Sequence, residues 1–255
     1  MEHFYLDRHS EGDSFMHRLD PRSKLLGVFL LILFIVFTRP DDFFSFISYA
    51  ALIVFLILLS KIPPIFFFKK SLVVIPFVLA VSIFIPFFKE GEVAGGYSFG
   101  TLKLTVTYDG LTIFFNILVK SYMSALCMIL LVSSTRFSAL LKGLEKLKVP
   151  KLFASLLSFM YRYIFVIIDE LMKMRQAKAA RSVGGSWWFH TKTLANMIGV
   201  LFIRSYERSE TVYMAMLSRG FSGNINAIYD FRLKKSDILF MSLLTVTLFL
   251  IRVKV

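Results

Sequence analysis

The sequence predicts an all-α, polytopic membrane protein with about five transmembrane helices and two long cytoplasmic helices. Three observations lead there. Of the 255 residues, 56% are hydrophobic and 29 are Phe, and the mean hydropathy is +0.69; soluble domains sit nearer 45–50% apolar. The apolar residues fall in long runs, and lipid tolerates only backbone that satisfies its own hydrogen bonds, which favours helices. The hydrophilic residues concentrate in one long stretch, 135–236.

Residues 1–24 form a polar arm that ends Leu19-Asp20-Pro21-Arg22-Ser23-Lys24. Asp20 suits a helix cap and Pro21 the first turn. The first apolar run, Leu25–Thr38, is only 14 residues, about 21 Å of helix at 1.5 Å per residue. A span needs about 20 residues, so this run must borrow flanking residues or sit against thinned lipid. Phe43–Ser60 is the second span. Ile62-Pro63-Pro64 then breaks the chain, and Ser71–Phe88 is the third span. Glu90–Gly110 is the one sizeable outside loop; its glycines and the alternating Thr, Leu and Val around Lys103 suit a small hairpin, with Asp109-Gly110 as a turn. Leu111–Ser134, interrupted only by Lys120, is the fourth span, and Asp237–Ile251 the last. No signal peptide is evident, because no small-residue cleavage site follows the first apolar run.

Within 135–236, residues 135–149 read as a short amphipathic helix, with Leu140, Leu141, Leu144 and Leu147 on one stripe. Pro150 starts a long helix. Phe153, Leu156, Leu157, Met160, Ile164, Ile167, Leu171 and Met174 follow helical spacing, with Arg162, Asp169 and Lys173 opposite. Its apolar first half suits a helix lying on, or dipping into, the membrane interface; a sixth span is the competing reading. Gly184-Gly185 ends it, Trp187-Trp188 suits interfacial anchoring, and a second helix runs from about Thr191 to Arg219. The chain therefore divides into 1–134 (arm and four spans), 135–236 (long-helix region) and 237–255 (last span).

Charge orients the molecule. With the N-terminus cytoplasmic, the inside segments hold 24 Lys and Arg against five outside, and 17 of the 24 lie in 135–236. This matches the positive-inside rule. Anionic lipid is one use of such a basic face.

The chemistry of common enzymes is missing. No glycine-rich loop precedes a Lys-Ser/Thr pair, and no His-Glu-x-x-His or paired Cys occurs. The single Cys127 lies within a span. His3, Asp7 and His9 on a polar arm make a poor metal cage. Lys120, costly at the bilayer centre, is expected to bury against another helix or to snorkel. Near Arg204 and Arg208, Glu207 and Glu210 suit local ion pairs. A lipid-modifying membrane enzyme would need a convergent acid/base set, and Asp169-Glu170 is the only adjacent acidic pair in 135–236.

Two helix ends stand out. Ala180-Arg181-Ser182 precedes Gly184-Gly185, and Ser218-Arg219-Gly220 precedes Gly223; the arginines are 38 residues apart. A cation there complements the helix dipole. Small neighbours also let a partner's backbone approach, and an arginine fork binds carboxylates or carbonyls, so docking is the favoured role.

Phe202–Phe221, with its Ser218-Arg219-Gly220, and the stretch Leu19–Leu25 resemble the transmembrane T component of energy-coupling factor transporters, most closely CbiQ of cobalt uptake systems. The resemblance implies a non-catalytic subunit in a bacterial inner membrane, with Ala180, Arg181, Ser182, Ser218, Arg219 and Gly220 docking on two copies of a cytosolic ABC-type ATPase. Ser182 and Ser218 depart from the family's Ala-Arg-Gly form, both by small residues. Gly184, Gly185 and Gly223 would act as helix ends or hinges. It further implies a substrate-binding S subunit (CbiM-like) and a small accessory membrane subunit as partners, and no nucleic acid. No cofactor is expected on this chain; ATP and magnesium would bind the ATPases, and cobalt would be the transported ion. Nickel or a vitamin is the alternative cargo.

Overall fold

A computed structural model describes residues 12, 14–40, 42–89, 93–99, 102–147, 149–181, 186–221 and 234–253. Its helices are α1 (Phe15–Arg18), α2 (Pro21–Val36), α3 (Phe43–Ser60), α4 (Pro64–Leu72), α5 (Val74–Ser82), α6 (Ile85–Phe88), α7 (Tyr108–Ser134), α8 (Phe137–Lys146), α9 (Lys151–Arg181), α10 (Trp187–Ser218) and α11 (Lys235–Val253). An antiparallel hairpin, β1 (Val93–Phe99) and β2 (Leu102–Thr107), is the departure from an all-helical chain. It falls in the loop where alternation suggested one. The chain forms two compact units, one built on α1–α7 with α11 and one on α9 and α10, divided inside α8 between Gly143 and Leu144.

The first unit is a helical bundle. Each central helix buries a stripe at heptad-like spacing: Lys24, Val28, Leu31 and Ile35 on α2; Tyr49, Ile53, Leu56 and Ser60 on α3; Met123, Cys127, Leu130 and Ser134 on α7; Asp237, Phe240, Leu244 and Leu248 on α11. Small and weakly polar residues on these stripes let backbones approach, which matters where lipid supplies no hydrophobic drive between helices. The opposite faces carry bare apolar side chains such as Phe43, Phe55 and Phe249, as a lipid-facing surface should.

Proline sets the breaks in the third apolar segment. Pro76 removes the hydrogen bond to Leu72, where α4 ends, and Pro86 removes the one to Ser82, where α5 ends; an interior proline takes away the i→i−4 bond and crowds that carbonyl. The linking residues Val73, Ile83 and Phe84 keep right-handed helical dihedrals, so Pro64–Phe87 runs as one interrupted 24-residue span. It begins at Pro64, earlier than the expected Ser71. Lys69 and Lys70 therefore ride on α4 and not in a loop, and Lys70 stacks over the Phe66 ring at 4.6 Å.

Asp109-Gly110 is not a turn. Both lie in the first turn of α7, where the Thr107 hydroxyl caps the helix by accepting the Gly110 N–H at 3.3 Å. A side chain on Gly110 would come within 2.7 Å of the Pro86 backbone, so glycine here allows close packing of α6 on α7.

Among the described residues, five helical segments are long and apolar enough to cross a bilayer: Phe43–Ser60, Pro64–Phe87, Tyr108–Ser134, Leu152–Arg181 and Lys235–Val253. The number matches expectation while the membership differs. Leu152–Arg181 qualifies, and the 16-residue α2, about 24 Å long, is too short. Yet α2 is the packed centre, against both α7 and α11.

Side chains from its neighbours finish the two ends of α2. At its N-terminus Asp20 caps through the Arg22 N–H (2.9 Å), and the buried Asp237 carboxylate accepts the Asp20 N–H (2.9 Å) and the Lys234 N–H (2.8 Å). Lys24 Nζ donates to the Ser134 carbonyl at 3.0 Å and the Thr135 hydroxyl at 3.1 Å. At the C-terminus Lys120 Nζ donates to the Val36 and Thr38 carbonyls at 3.0 and 2.6 Å, and Arg252 donates to the Phe37 carbonyl at 2.9 Å. Acids thus meet the positive end of the dipole and cations the negative end, and carbonyls left over by the helix are satisfied. Lys120, ambiguous in the sequence, is a cap for another helix.

Candidate docking ends of the long helices

The second unit is built on α9 and α10. Pro150 starts α9 by accepting the Phe153 and Ala154 N–H groups. Ser186 stands at the start of α10, which begins at Trp187, four residues before the expected Thr191. Glu170 and Arg204 form an ion pair between the helices. Residues after Glu170 on α9 share a cavity with residues before Arg204 on α10, and residues before Glu170 share another with residues after Arg204. The helices therefore cross antiparallel. Arg204 takes the carboxylate of the other helix, which supersedes the local pairing expected for Glu207 and Glu210.

Antiparallel crossing separates the two candidate arginines. Arg181 lies three turns past Glu170 and Arg219 four turns past Arg204, about 16 and 22 Å of helix in opposite directions. The two motifs do not converge on one site; they are the opposite tips of one crossed pair.

The geometry of the α10 tip is complete. Arg219 ends the helix, and Gly220 follows at φ +81°. The Gly220 N–H donates to the Leu217 carbonyl at 2.9 Å and the Phe221 N–H to the Met216 carbonyl at 3.0 Å. These two bonds are the Schellman pattern, which uses up the last carbonyls and needs a left-handed residue. A side chain on Gly220 would meet nothing within 4 Å. The Ser218 hydroxyl donates back to the Met214 carbonyl at 3.0 Å, so it presents little beyond its small size. Ser218, Arg219 and Gly220 are all exposed.

At the other tip, Ala180 and Arg181 are exposed in the last turn of α9. Ser182, Gly184 and Gly185 lie outside the described residues, as does Gly223. Arg181 stands with Lys173 and Lys178 on a cavity of about 600 Å³ that also reaches Glu170 and Arg204. Neither lysine was singled out as a candidate in the sequence; Lys178 stands one turn before Arg181, at the i, i+3 spacing that brings side chains together. Trp187 and Trp188 are both about three-quarters exposed, at 76% and 74%. Among the described residues, no group of three or more His, Cys, Asp or Glu is placed to hold a metal.

Residues 12–228 match the family model described as CbiQ, cobalt transport protein. The chain belongs to the CbiQ/EcfT family. Among its relatives, an energy-coupling factor transporter transmembrane protein EcfT of Streptococcus thermophilus is 32% identical over 234 residues, covering 88% of this chain and 87% of that protein. An EcfT of Listeria innocua is 29% identical over 238 residues, covering 88% and 86%. An uncharacterized protein of Methanocaldococcus jannaschii is 27% identical over 250 residues, covering 94% and 82%. As a member of this family the chain is a non-catalytic transmembrane transport component, and ATPase activity lies in partner subunits.

Proposed function

We propose that this chain couples two cytosolic ATPase subunits to a substrate-binding membrane subunit in an energy-coupling factor importer for cobalt. The observation that carries the reading is the pair of exposed arginine-ended helices facing opposite ways from one crossing. Each tip then docks on one ATPase subunit: Ala180-Arg181-Ser182 on one, Ser218-Arg219-Gly220 on the other. When the ATPases close, the tips move relative to each other, and the crossing at Glu170–Arg204 turns that motion into a tilt of α9 and α10. The apolar first half of α9, bare along Leu152, Phe153, Leu156 and Met160, lies at the membrane interface or against the S subunit. The excess of Lys and Arg in 1–24, 61–70 and 135–236 supports an N-terminus in the cytoplasm of a bacterial inner membrane. Cobalt follows the family description, and the S subunit makes the choice of cargo.

The test is affinity purification of the full chain from solubilised host membranes, with Arg181→Glu/Arg219→Glu as comparison, alongside uptake of radioactive cobalt. The native chain should bring down an ATPase and an S-type membrane protein, and the double variant should lose the ATPase and uptake while still inserting. An ATPase retained at native level by the double variant would sink the docking reading; uptake of nickel or a vitamin in place of cobalt would correct the cargo alone.

A further inference from the structure

The two tips differ chemically, and the difference points to different surfaces on the partner. The final three turns of α9 hold Lys173, Arg175, Lys178 and Arg181 with no acid from Lys173 to Arg181. Among the described residues, no carboxylate pairs with any of the four. Arg175, Lys178 and Arg181 follow one another at i, i+3, so they repel along one side of the helix. Lys173, Lys178 and Arg181 line the cavity of about 600 Å³ between α9 and the start of α10. The negative end of the helix dipole relieves only part of this charge, within the last turn.

The matching stretch of α10, Thr211–Arg219, carries a single cation, Arg219 itself. Tyr213, Met214 and Leu217 are exposed there. The cavity beside them, about 490 Å³, is lined chiefly by apolar side chains including Met160, Val212, Tyr213 and Met216, with Arg208 on its wall. Flexible methionines and aromatics suit an adaptable apolar contact.

We infer that the α9 tip docks on an acidic surface of its ATPase, whereas the α10 tip docks on an apolar one, so that the two docking contacts are not equivalent. This rests on the docking function proposed above. An acidic groove supplies the carboxylates that the crowded cations of α9 lack, and complementary charge steers that contact and makes it sensitive to salt. The α10 contact buries apolar surface around one arginine and is insensitive to screening. A heterodimeric ATPase with one acidic and one apolar groove would be held in one orientation, because like-charge and unpaired-charge contacts penalise the reverse.

The experiment uses the full chain immobilised with its co-purified ATPase, washed in steps from about 0.05 to 0.5 M NaCl, a range over which the screening length falls below about 5 Å. Arg219→Glu leaves the α9 contact, and Lys173→Gln/Arg175→Gln/Lys178→Gln/Arg181→Glu leaves the α10 contact. Monodisperse elution confirms that each variant is folded. In Arg219→Glu, ATPase affinity should fall about tenfold across the range, the size expected of several exposed ion pairs screened together. In the fourfold α9 variant it should change less than about twofold. Adding Lys173→Gln/Arg175→Gln/Lys178→Gln to Arg219→Glu should remove most of the salt response. Equal salt responses in Arg219→Glu and the fourfold α9 variant, or a salt response in Arg219→Glu that the three glutamines leave undiminished, would overturn the inference while leaving docking intact. Retention of ATPase by Arg181→Glu/Arg219→Glu would overturn the docking function itself, and this inference with it.

Discussion

Replacing Gly220 separates backbone conformation from side-chain fit at the α10 tip. Gly220 sits at φ +81° and carries the Schellman bond from its N–H to Leu217. An L-residue there costs roughly 1–2 kcal/mol. A Cβ would meet no atom of this chain within 4 Å, so the cost is conformational and has no steric part within the subunit. The last turn should respond by fraying, which releases the Leu217 and Met216 carbonyls and lets Arg219 swing away from its fixed direction. If docking needs that direction, Gly220→Ala should weaken ATPase binding by about 5–30-fold, the factor equivalent to one or two kcal/mol. Gly220→Asn should weaken it less, because asparagine enters the left-handed region more easily. The measurement is ATPase affinity of the purified full chain by biolayer interferometry, with cobalt uptake in cells beside it. Native affinity in Gly220→Ala, or a larger loss with Asn than with Ala, would refute the conformational argument; the second result would mean that a partner's backbone packs against this glycine.

Three further outcomes follow from the bundle and the crossing. Lys120→Met leaves the part-buried Thr38 carbonyl and the exposed Val36 carbonyl without their donor; at about 1–3 kcal/mol for a stranded buried group, the first alone should lower the melting temperature of the detergent-solubilised protein more than Arg252→Met, whose single bond is exposed. Asp237→Ala removes the acceptor for two backbone N–H groups, so differential scanning fluorimetry should show a loss of about 1–3 kcal/mol for each donor left buried and unpaired; Asp237→Asn, which keeps an oxygen, should lose less. Glu170→Gln breaks an ion pair whose arginine is more than half exposed, worth about 0–1 kcal/mol, so cobalt uptake should stay near native, and a loss beyond about tenfold would mean that the pair holds the crossing angle itself.

What was legible in the chain was local. Apolar runs marked helices α3, α7 and α11 because a lipid-facing helix must be apolar over its whole length. Asp20-Pro21, Pro150 and Gly220 marked helix ends because caps act within a few residues of themselves. The breaks at Pro76 and Pro86 have an equally local cause, missing N–H groups four residues from identifiable carbonyls, but reading Ser71–Phe88 as one apolar run passes over them. Turn signals were less dependable. Asp109-Gly110 read as a turn, but tertiary packing against Pro86 placed both residues in a helix, where the missing side chain serves close approach.

By itself the sequence determined that this is a helical membrane protein with a basic long-helix region and two small-flanked arginines at helix ends. Each of these depends on residues near one another along the chain. Tertiary structure alone decided that Lys120 and Arg252 finish the far end of α2, that Asp237 reaches across to Asp20, and that Glu170 claims Arg204. It also decided that the two arginines face apart. Hydrogen bonds and ion pairs between groups tens to hundreds of residues apart leave no periodicity for a sequence to display, and the direction in which two helices cross is set by how their surfaces fit.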